Sequence, residues 1–259
     1  VRTSQGMQPT PEGRRLYRLF QPVVTGFQRA REQVVEATGE LSGEVRFGMI
    51  ATIAQGVLVD ALLEFSPVHP KVDLSMTDGF SGDLIDAVAL GQLDVAVINK
   101  PRRALTLKSE IIAEEDLLLV TGPVHADVLP SMKFSGLAAL KLVFPTRRHG
   151  LRGVIESFAE AEDVNLSPSL EIDSISAILK LVRESDFCTL LPHVAVRGQL
   201  ERSELKGHRF VSPRLRRQIV AVTDPRRPLS PAAAAFLSVL RRHLVGLGSV
   251  PPHGNDGRP

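Results

Sequence analysis

Short apolar strands alternate with amphipathic helices through most of this chain, and this alternation decides between the possible fold classes. Residues 45–50 alternate as a strand, residues 53–70 follow as a helix, and residues 71–79 form the next strand. A helix at 81–92 and the apolar strand "LDVAVIN" (93–99) continue the pattern. Strands joined by single helices pair in parallel, so we predict an α/β fold of the doubly wound type.

A second unit of the same kind is predicted after the loop 100–109. Its first strand is "EEDLLLVTGP" (114–123). A terminal helix at 230–248 begins with Ser230 as its N-cap and Pro231 at its first helical position. The other predicted strands are 140–145, 169–174, 187–192, 208–212 and 216–224, and the other predicted helices are 151–163 and 175–186.

A long amphipathic helix precedes the α/β region. Thr10 fits its N-cap, Pro11 its first helical position, and Glu12 the positive end of its dipole. Apolar residues recur along it at alternating spacings of four and three: Leu16, Phe20, Val23, Phe27, Ala30, Val34 and Ala37. This heptad-type seam favours pairing with a helix of a second chain, although a helix lying on its own domain shows a similar pattern.

Composition excludes several protein classes. The chain has 259 residues, of which 43% are hydrophobic, and no apolar run reaches the roughly 20 residues that span a bilayer. The polar N-terminus has no apolar segment of the kind a secretory signal needs. A single cysteine excludes a disulfide framework. We therefore expect a cytoplasmic protein that has no membrane partner.

Charge is unevenly distributed along the chain. Residues 47–199 carry 13 Lys and Arg against 20 Asp and Glu, whereas residues 200–259 carry 11 against 4. Because the middle is acidic and only the C-terminal part is basic, the chain as a whole does not form a continuous nucleic-acid surface. The basic part reads more simply as a solvated surface.

Enzymatic constellations are not evident in the sequence. Cys188 with His193 could suggest a thiol nucleophile, but the strand "FCTLLP" around Cys188 is typical of a buried core residue. The seven histidines show no metal-ligand spacing, and no HExxH, GxGxxG or P-loop motif occurs. We therefore predict no catalytic residues, no metal and no cofactor.

The order of the motifs resembles the LysR-type transcriptional regulators along almost the whole chain. The matching pieces are "RTSQGMQPTPEG", "LSGEVRFGM", "GQLDVAVI", "LVTGPVHADV", "CTLLPHVAV" and "RPLSPAAAAFLSVLRRHL". The resemblance implies two Rossmann-like subdomains of the periplasmic-binding-protein type, preceded by a long linker helix. The expected division is a winged helix-turn-helix remnant at 1–10, a linker or dimerisation helix at 11–43, effector subdomain I at 44–100 and 222–250, effector subdomain II at 101–221, and a disordered tail at 251–259.

The same resemblance implies a regulator that senses a small molecule and modulates DNA binding. The chain begins within the wing, so Arg2 is its one expected DNA contact, and DNA would be bound mainly by an N-terminal domain absent from this sequence. A homodimer or homotetramer is expected through the linker helix and the effector domains. The alternative is a two-lobed solute-binding protein for transport, which should be monomeric; an α/β enzyme is a third reading.

Candidate effector-binding residues follow the strands of the predicted sheets. Ligands of open α/β sheets bind beyond the carboxyl ends of the strands, where helix N-termini present amide donors. The turn 49–56 offers Ala51 and Thr52, and the turn 77–83 offers Phe80 and Ser81, where Ser81 or Asp83 is expected to cap the helix. The remaining candidates, from the turn 144–153 and from two strand ends, are Thr146, Arg147, His149, Asn99 and Ser174.

Each candidate also has a structural interpretation. Thr52 and Ser174 could be plain N-caps, and the adjacent Arg147 and Arg148 could both face solvent, while Thr146 could cap the helix that follows. The segments 99–101 and 222–225 are the expected chain crossings between the subdomains. A cationic side chain beside a helix N-terminus favours a carboxylate or a similar anion as the effector.

Overall fold

A computed structural model describes residues 2–3, 6–7, 10–36, 40–125, 131–211 and 213–247 of the chain. The expected tail at 251–259 lies outside these residues. The strands are β1 (Arg2–Thr3), β2 (Gly6–Met7), β3 (Ser42–Met49), β4 (Lys71–Asp78), β5 (Val95–Asn99), β6 (Lys108–Thr121), β7 (Ser131–Met132), β8 (Val143–Phe144), β9 (Leu170–Glu171), β10 (Cys188–Pro192), β11 (Lys206–Phe210) and β12 (Arg216–Thr223).

The helices are α1 (Pro11–Glu36), α2 (Ala51–Ile53), α3 (Val59–Phe65), α4 (Ser81–Ala89), α5 (Gly150–Ala161), α6 (Ile175–Glu184), α7 (His193–Glu201) and α8 (Pro231–Leu247). A π-helical segment (Ala54–Leu58) joins α2 to α3, so the three form one continuous helix. A 3₁₀ helix (Phe134–Ala139) precedes β8. The predicted N-cap of α8 is confirmed, because the Ala233 N–H donates to Ser230 Oγ at 3.1 Å.

Helix α1 extends in front of the α/β region as the heptad pattern predicts. The Gly13 N–H donates to Thr10 Oγ1 at 3.0 Å, which confirms Thr10 as the N-cap. The helix continues to Glu36 through Pro22. Of the seam, the described side chains are 58–74% exposed: Leu16, Phe20, Val23 and Phe27. The side chains of Ala30 and Val34, and all of Ala37, lie outside the described part of the chain.

The first part of the main sheet has the strand order β4-β3-β5-β12-β6. Strand β3 pairs in parallel with β4 and β5, as the strand–helix alternation predicts. Strand β12 is antiparallel to both β5 and β6, so the sheet is mixed rather than purely parallel. The reason is that β12 enters this sheet from the other end, on its way back from the second half of the chain.

Helices cover both faces of this part of the sheet. Phe47 of β3 contacts Phe236 of α8, with ring centroids 5.2 Å apart, and Phe236 also contacts Phe65 of α3. A side chain at the next position, Gly48, would meet Leu84 of α4 instead. Because successive strand residues point to opposite faces, α3 and α8 lie on one face and α4 on the other.

The second part of the sheet is built on the far end of β6. Residues 117–121 of β6 pair in antiparallel fashion with β10 and β11, and β7 is parallel to β11. Strands β8 and β9 form a parallel pair, and an isolated bridge from Leu142 to Cys188 brings them beside β10. Helices α5 and α6 contribute Leu151, Ile155, Ile178 and Val182 to its core. The expected α/β fold with two subdomains is therefore confirmed, with mixed sheets.

Two separate hydrophobic cores divide the molecule into lobes. We call the residues around the first core, 42–116 and 216–247, the first lobe, and those around the second, 117–211 and 213–215, the second lobe. The chain crosses where β6 passes from Asp116 to Leu117, and the Leu117 N–H donates to the Leu215 carbonyl at 2.9 Å beside it.

The predicted crossings at 99–101 and 222–225 are therefore wrong. Leu107 and Ala113 were expected in the second subdomain, and so was Ile219, but all three pack in the first core. Strand β6 runs without interruption through the boundary, pairing with β12 before it and with β10 after it, so no loop marks the place where its partner changes.

Helix α7 was not predicted. It follows β10 in the second lobe, yet Val194 in its first turn packs in the first core, while Val196 packs in the second. A Cβ at Gly56 of the π-helical segment would lie 2.6 Å from the Val194 carbonyl oxygen. The absence of a side chain at Gly56 thus allows α7 to rest against the first lobe.

Candidate functional site

A cleft of about 640 Å³ lies between the two lobes. It is lined by the first turns of α4 and α5, by the end of β5, and by the first residues of β12, where the chain has just returned from the second lobe. Five lining side chains are basic and one, Glu114, is acidic: the basic ones are Lys100, Arg102, Arg148, Arg216 and Arg217. Ile85, Val154 and Phe158 add an apolar wall. We call this space the interlobe cleft.

Two of the predicted residues, Ser81 and Asn99, meet in this cleft. Asn99, the last residue of β5, is 3% exposed, and its Oδ1 accepts a hydrogen bond of 2.9 Å from Arg217 Nη1. Its Nδ2 atom and the Ser81 Oγ atom are buried without a hydrogen-bond partner in the described part of the chain. We call Ser81 Oγ and Asn99 Nδ2 the buried donor pair. Helix α4 is not capped by Ser81 or Asp83 as predicted, since Phe80 is its N-cap and makes no side-chain hydrogen bond.

Gly150, the first residue of α5, lies directly against the buried donor pair. A Cβ at this position would be 2.8 Å from Ser81 Oγ and 3.1 Å from Asn99 Nδ2. The N-terminus of α5 in the second lobe therefore meets the N-terminus of α4 in the first lobe. Two helix dipoles direct their positive ends to one place, which favours an anion there.

The side chains of the turn before α5, residues 146–149, point in different directions. His149 is the N-cap of α5 and is 4% exposed, and its ring lies edge-on to Phe80 with centroids 6.0 Å apart. Burial lowers the pKa of His149, the nearby Arg217 lowers it further, and Asp173 opposes the shift. Arg148 lies over the Phe80 ring at 4.5 Å and faces the cleft. Of this turn, His149 is buried, whereas Arg148 lies at the rim of the cleft, 70% exposed and 3.7 Å from the Asp83 carboxylate.

Arg147 was predicted to reach the effector, and the structure places it outside the cleft. Its side chain is 80% exposed and its Nε donates to Glu156 at 3.2 Å, because α5 begins beyond it and presents a carboxylate on the outer face. Thr146 does not cap α5, since its Oγ1 donates to Asp173 Oδ1 at 2.6 Å.

Ser174 is the N-cap of α6, where it accepts a hydrogen bond from the Ala177 N–H at 3.3 Å. Its structural interpretation is therefore the right one, and it does not line the interlobe cleft.

The predicted residues of the turn 49–56, Ala51 and Thr52, do not line the cleft but pack beside the residues that do. Thr52 is fully buried, and its Oγ1 accepts a hydrogen bond of 3.0 Å from Arg217 Nη1. Ala51 packs against the second core, so it lies at the junction of the lobes. Neither residue lines the cleft directly.

The side chain of Arg2 lies outside the described part of the chain, and its contact with DNA stays a prediction.

The central charged group of the site, Arg217, was missed from the sequence. Its guanidinium is fully buried and pairs with Glu115 at 2.6 Å, and Glu115 Oε2 also accepts from the Val194 N–H at 3.4 Å. Burial lowers the pKa of Arg217, while Glu115 raises it. A signal was present, because Arg217 has the same strand parity as the buried Ile219 and Ala221. A charge on the inward face of a strand must be paired.

Cys188 contacts a different histidine from the one predicted, and its thiol is buried. Its Sγ lies 3.4 Å from Nε2 of His125 rather than near His193. Burial raises the pKa of the Cys188 thiol to about 11, and Asp186 contributes to the shift. The thiol is thus held in its unreactive protonated form at neutral pH.

The described residues contain neither a metal-binding cluster nor a membrane-spanning helix. Within them, no three His, Cys, Asp or Glu side chains cluster in a way that could hold a metal ion. None of the helices described is at once long enough and apolar enough to cross a bilayer.

Comparison with known proteins gives a consistent picture. The family model described as the LysR substrate binding domain matches residues 38–245. The transcriptional regulator GltR of Bacillus subtilis is 26% identical over 250 residues, which cover 94% of this chain and 81% of GltR. The nitrogen assimilation regulatory protein of Klebsiella aerogenes is 24% identical over 242 residues, covering 93% and 78%. These relatives are regulators of transcription, and the transport alternative finds no support among them.

Solved structures share the fold. A full-length OxyR variant from Pseudomonas aeruginosa superposes with a TM-score of 0.74 at 20% identity, covering 94% of this chain and 78% of OxyR. The effector binding domain of QuiR in complex with shikimate superposes with a TM-score of 0.68 at 19% identity, covering 78% of this chain and 97% of that domain. Both likenesses establish the architecture of the two lobes.

Proposed function

This chain belongs to the LysR family of transcriptional regulators and contains the family's effector-binding domain, and from this premise we propose that the interlobe cleft binds a small anionic effector. A carboxylate that contacts both lobes would change their relative position when the effector binds. The residues proposed to contact it are Ser81, Asn99 and Arg148, with His149 and Phe80 beside them.

The observation that carries this proposal is the buried donor pair. A buried donor that lacks a partner costs about 1–3 kcal/mol, so Ser81 Oγ and Asn99 Nδ2 gain when an acceptor reaches them. Both atoms lie where the N-termini of α4 and α5 converge, and amide dipoles there favour a negative acceptor.

Oligomerisation and DNA binding complete the proposal. The exposed apolar seam of α1, including Phe20 and Phe27, would pair with the same seam of a second copy. DNA would be contacted by a winged helix-turn-helix on the N-terminal side of α1, with Arg2 in the wing. Such a regulator acts in the cytoplasm. An effector alters DNA binding only if it prefers one arrangement of the subunits, so the lobes must transmit their change to the assembly.

The variant Ser81→Ala tests the site. It removes one donor to the bound carboxylate, and hydrogen bonds to charged groups contribute about 1.5–3 kcal/mol, so affinity for a bound carboxylate should fall at least tenfold. Titration calorimetry with a panel of small carboxylates, beginning with benzoate, measures this change.

The matched control is Ser174→Ala. It also removes one serine hydroxyl, but this one caps α6 outside the cleft. It should lower the free energy of unfolding by about 1 kcal/mol and leave affinity unchanged. Equal affinities in the wild type and in Ser81→Ala would show that the donor pair does not bind the effector.

A further inference from the structure

The buried donor pair cannot be reached in the arrangement described. Ser81 Oγ and Asn99 Nδ2 each expose less than 1 Å² to solvent, although other atoms of both residues line the interlobe cleft. An anion in the cleft as it stands would therefore not touch either donor. Some movement has to precede the contact, and the structure indicates which part moves.

The backbone of α5 at Gly150 closes one side of the buried donor pair. An oxygen accepting from a hydroxyl lies about 2.7 Å from it, and the Cβ position of Gly150 is 2.8 Å from Ser81 Oγ. That position is only about one carbon–carbon bond, ~1.5 Å, from the Gly150 Cα. An oxygen placed there would overlap the backbone of α5. An acceptor that enters on this side of the pair therefore requires α5 to move away.

We propose that an anionic group of the effector enters between Gly150 and the buried donor pair, so that binding moves the N-terminus of α5 away from that of α4. This inference rests on the proposed function and concerns the direction of the movement. The effector acts as a wedge between the lobes at this contact. The ligand-free arrangement leaves two donors unsatisfied, and the bound arrangement satisfies them with a charge that both lobes share.

The missing side chain at Gly150 allows the N-terminus of α5 to approach the buried donor pair closely. Two other glycines line the same cleft, Gly82 and Gly153, and a Cβ on either would meet nothing within 4 Å. Gly150 is the first residue of a regular helix, a position where a side chain is ordinarily tolerated. The close approach of the opposite lobe therefore explains the glycine better than any demand of the helix itself.

Distance measurements by pulsed electron paramagnetic resonance test the direction of movement. Spin labels are attached through Asp86→Cys on α4 and Glu162→Cys at the end of α5, both exposed positions. Cys188 can remain, because it is fully buried. Benzoate is the probe, with benzyl alcohol as its uncharged counterpart, and calorimetry on the same labelled chain measures binding. We expect benzoate to lengthen the distance and benzyl alcohol to leave it unchanged.

The variant Gly150→Val supplies the same test without a ligand, and Gly153→Val is its control on the same helix. The side chain at 150 should lengthen the distance with no anion present and abolish benzoate binding, whereas Gly153→Val should leave the ligand-free distance as it is in the wild type, because a Cβ there meets nothing within 4 Å. An unchanged distance in Gly150→Val would overturn the inference.

The two proposals fail in different ways. Benzoate binding that shortens the distance, or leaves it unchanged, refutes the wedge and leaves the anion site intact. If no carboxylate of the panel binds the wild type, the proposed function itself is refuted, and the wedge with it.

Discussion

At the residue scale, the polar groups between the lobes are held in states that water would not favour. His149 is the clearest case, since its imidazole is 4% exposed and lies between a buried cation, Arg217, and the carboxylate of Asp173. Burial and Arg217 together lower its pKa, so the neutral imidazole is the form that fits the folded chain. His149 therefore makes the fold sensitive to mild acid.

A prediction for pH follows from the sign of this shift. The unfolded chain binds a proton at His149 near the ordinary pKa of about 6.5, whereas the folded chain binds it only at lower pH. The contribution of His149 to the free energy of unfolding should have its full value above about pH 6.5. It should decrease as the pH falls from there to the lowered pKa of the folded chain. Urea unfolding of the wild type and of His149→Gln between pH 8 and pH 5.5 measures the difference. Parallel pH profiles for the two proteins would contradict the assignment to His149.

Sequence reasoning at this scale predicted some of the residues that line the cleft and missed others. Ser81 and Asn99 were proposed because both stand where a strand ends or a helix begins, which is where ligands of α/β folds bind, and the structure brings both to the cleft. Arg147 lies outside the cleft, because α5 begins three residues later, which the sequence alone does not show. The role of Gly150 depends on a distance between two lobes, and no local pattern carries that information.

At the scale of elements, α1 differs from α8 because the described part of the chain leaves the apolar side chains of its first four turns exposed. Phe20 and Phe27 are 59% and 74% exposed, whereas Phe236 of α8 is fully buried. Exposed aromatic side chains along one seam are unfavourable in water and favour association with a matching seam.

Replacing Phe27 by Glu therefore tests α1 as the dimer contact. A charge placed in the seam of both copies adds repulsion and removes apolar burial, so the Phe27→Glu protein should elute as a monomer in gel filtration at concentrations where the wild type is larger. Arg15→Glu, which changes a charge at an exposed position outside the seam, is the control. If wild type and Phe27→Glu elute together as monomers, α1 does not mediate association in this chain.

Elements were predicted well where the hydrophobic period was long. The helices from 53, 81 and 151 onward have clear apolar faces, and their packing followed the pattern. Helix α7 was missed because "HVAVRGQLE" contains two valines and a glycine, which are weak helix formers. Contacts with both lobes stabilise this helix, and those contacts are tertiary.

At the scale of the whole molecule, one buried network joins the pieces that cross between the lobes. Arg217 on β12 pairs with Glu115 on β6. Within two residues of this pair, β6 changes lobes and the chain enters β12 from the second lobe. Arg217 also donates to Thr52 and Asn99 of the first lobe, while Glu115 accepts from α7. The network thus lies at the base of the interlobe cleft and holds together the strands and helices at the boundary between the lobes.

The variant Glu115→Gln tests how much of the fold depends on this network. Removal of one partner leaves the Arg217 charge buried and uncompensated, which costs about 3–5 kcal/mol, a large part of a typical domain's stability. Glu114→Gln is the control, because Glu114 is the preceding residue of β6 but forms its ion pair with Arg216 at the surface. That exposed pair contributes at most about 1 kcal/mol. Urea unfolding should separate the two variants clearly, and similar midpoints for both would mean that Arg217 finds another partner or water once the carboxylate is gone.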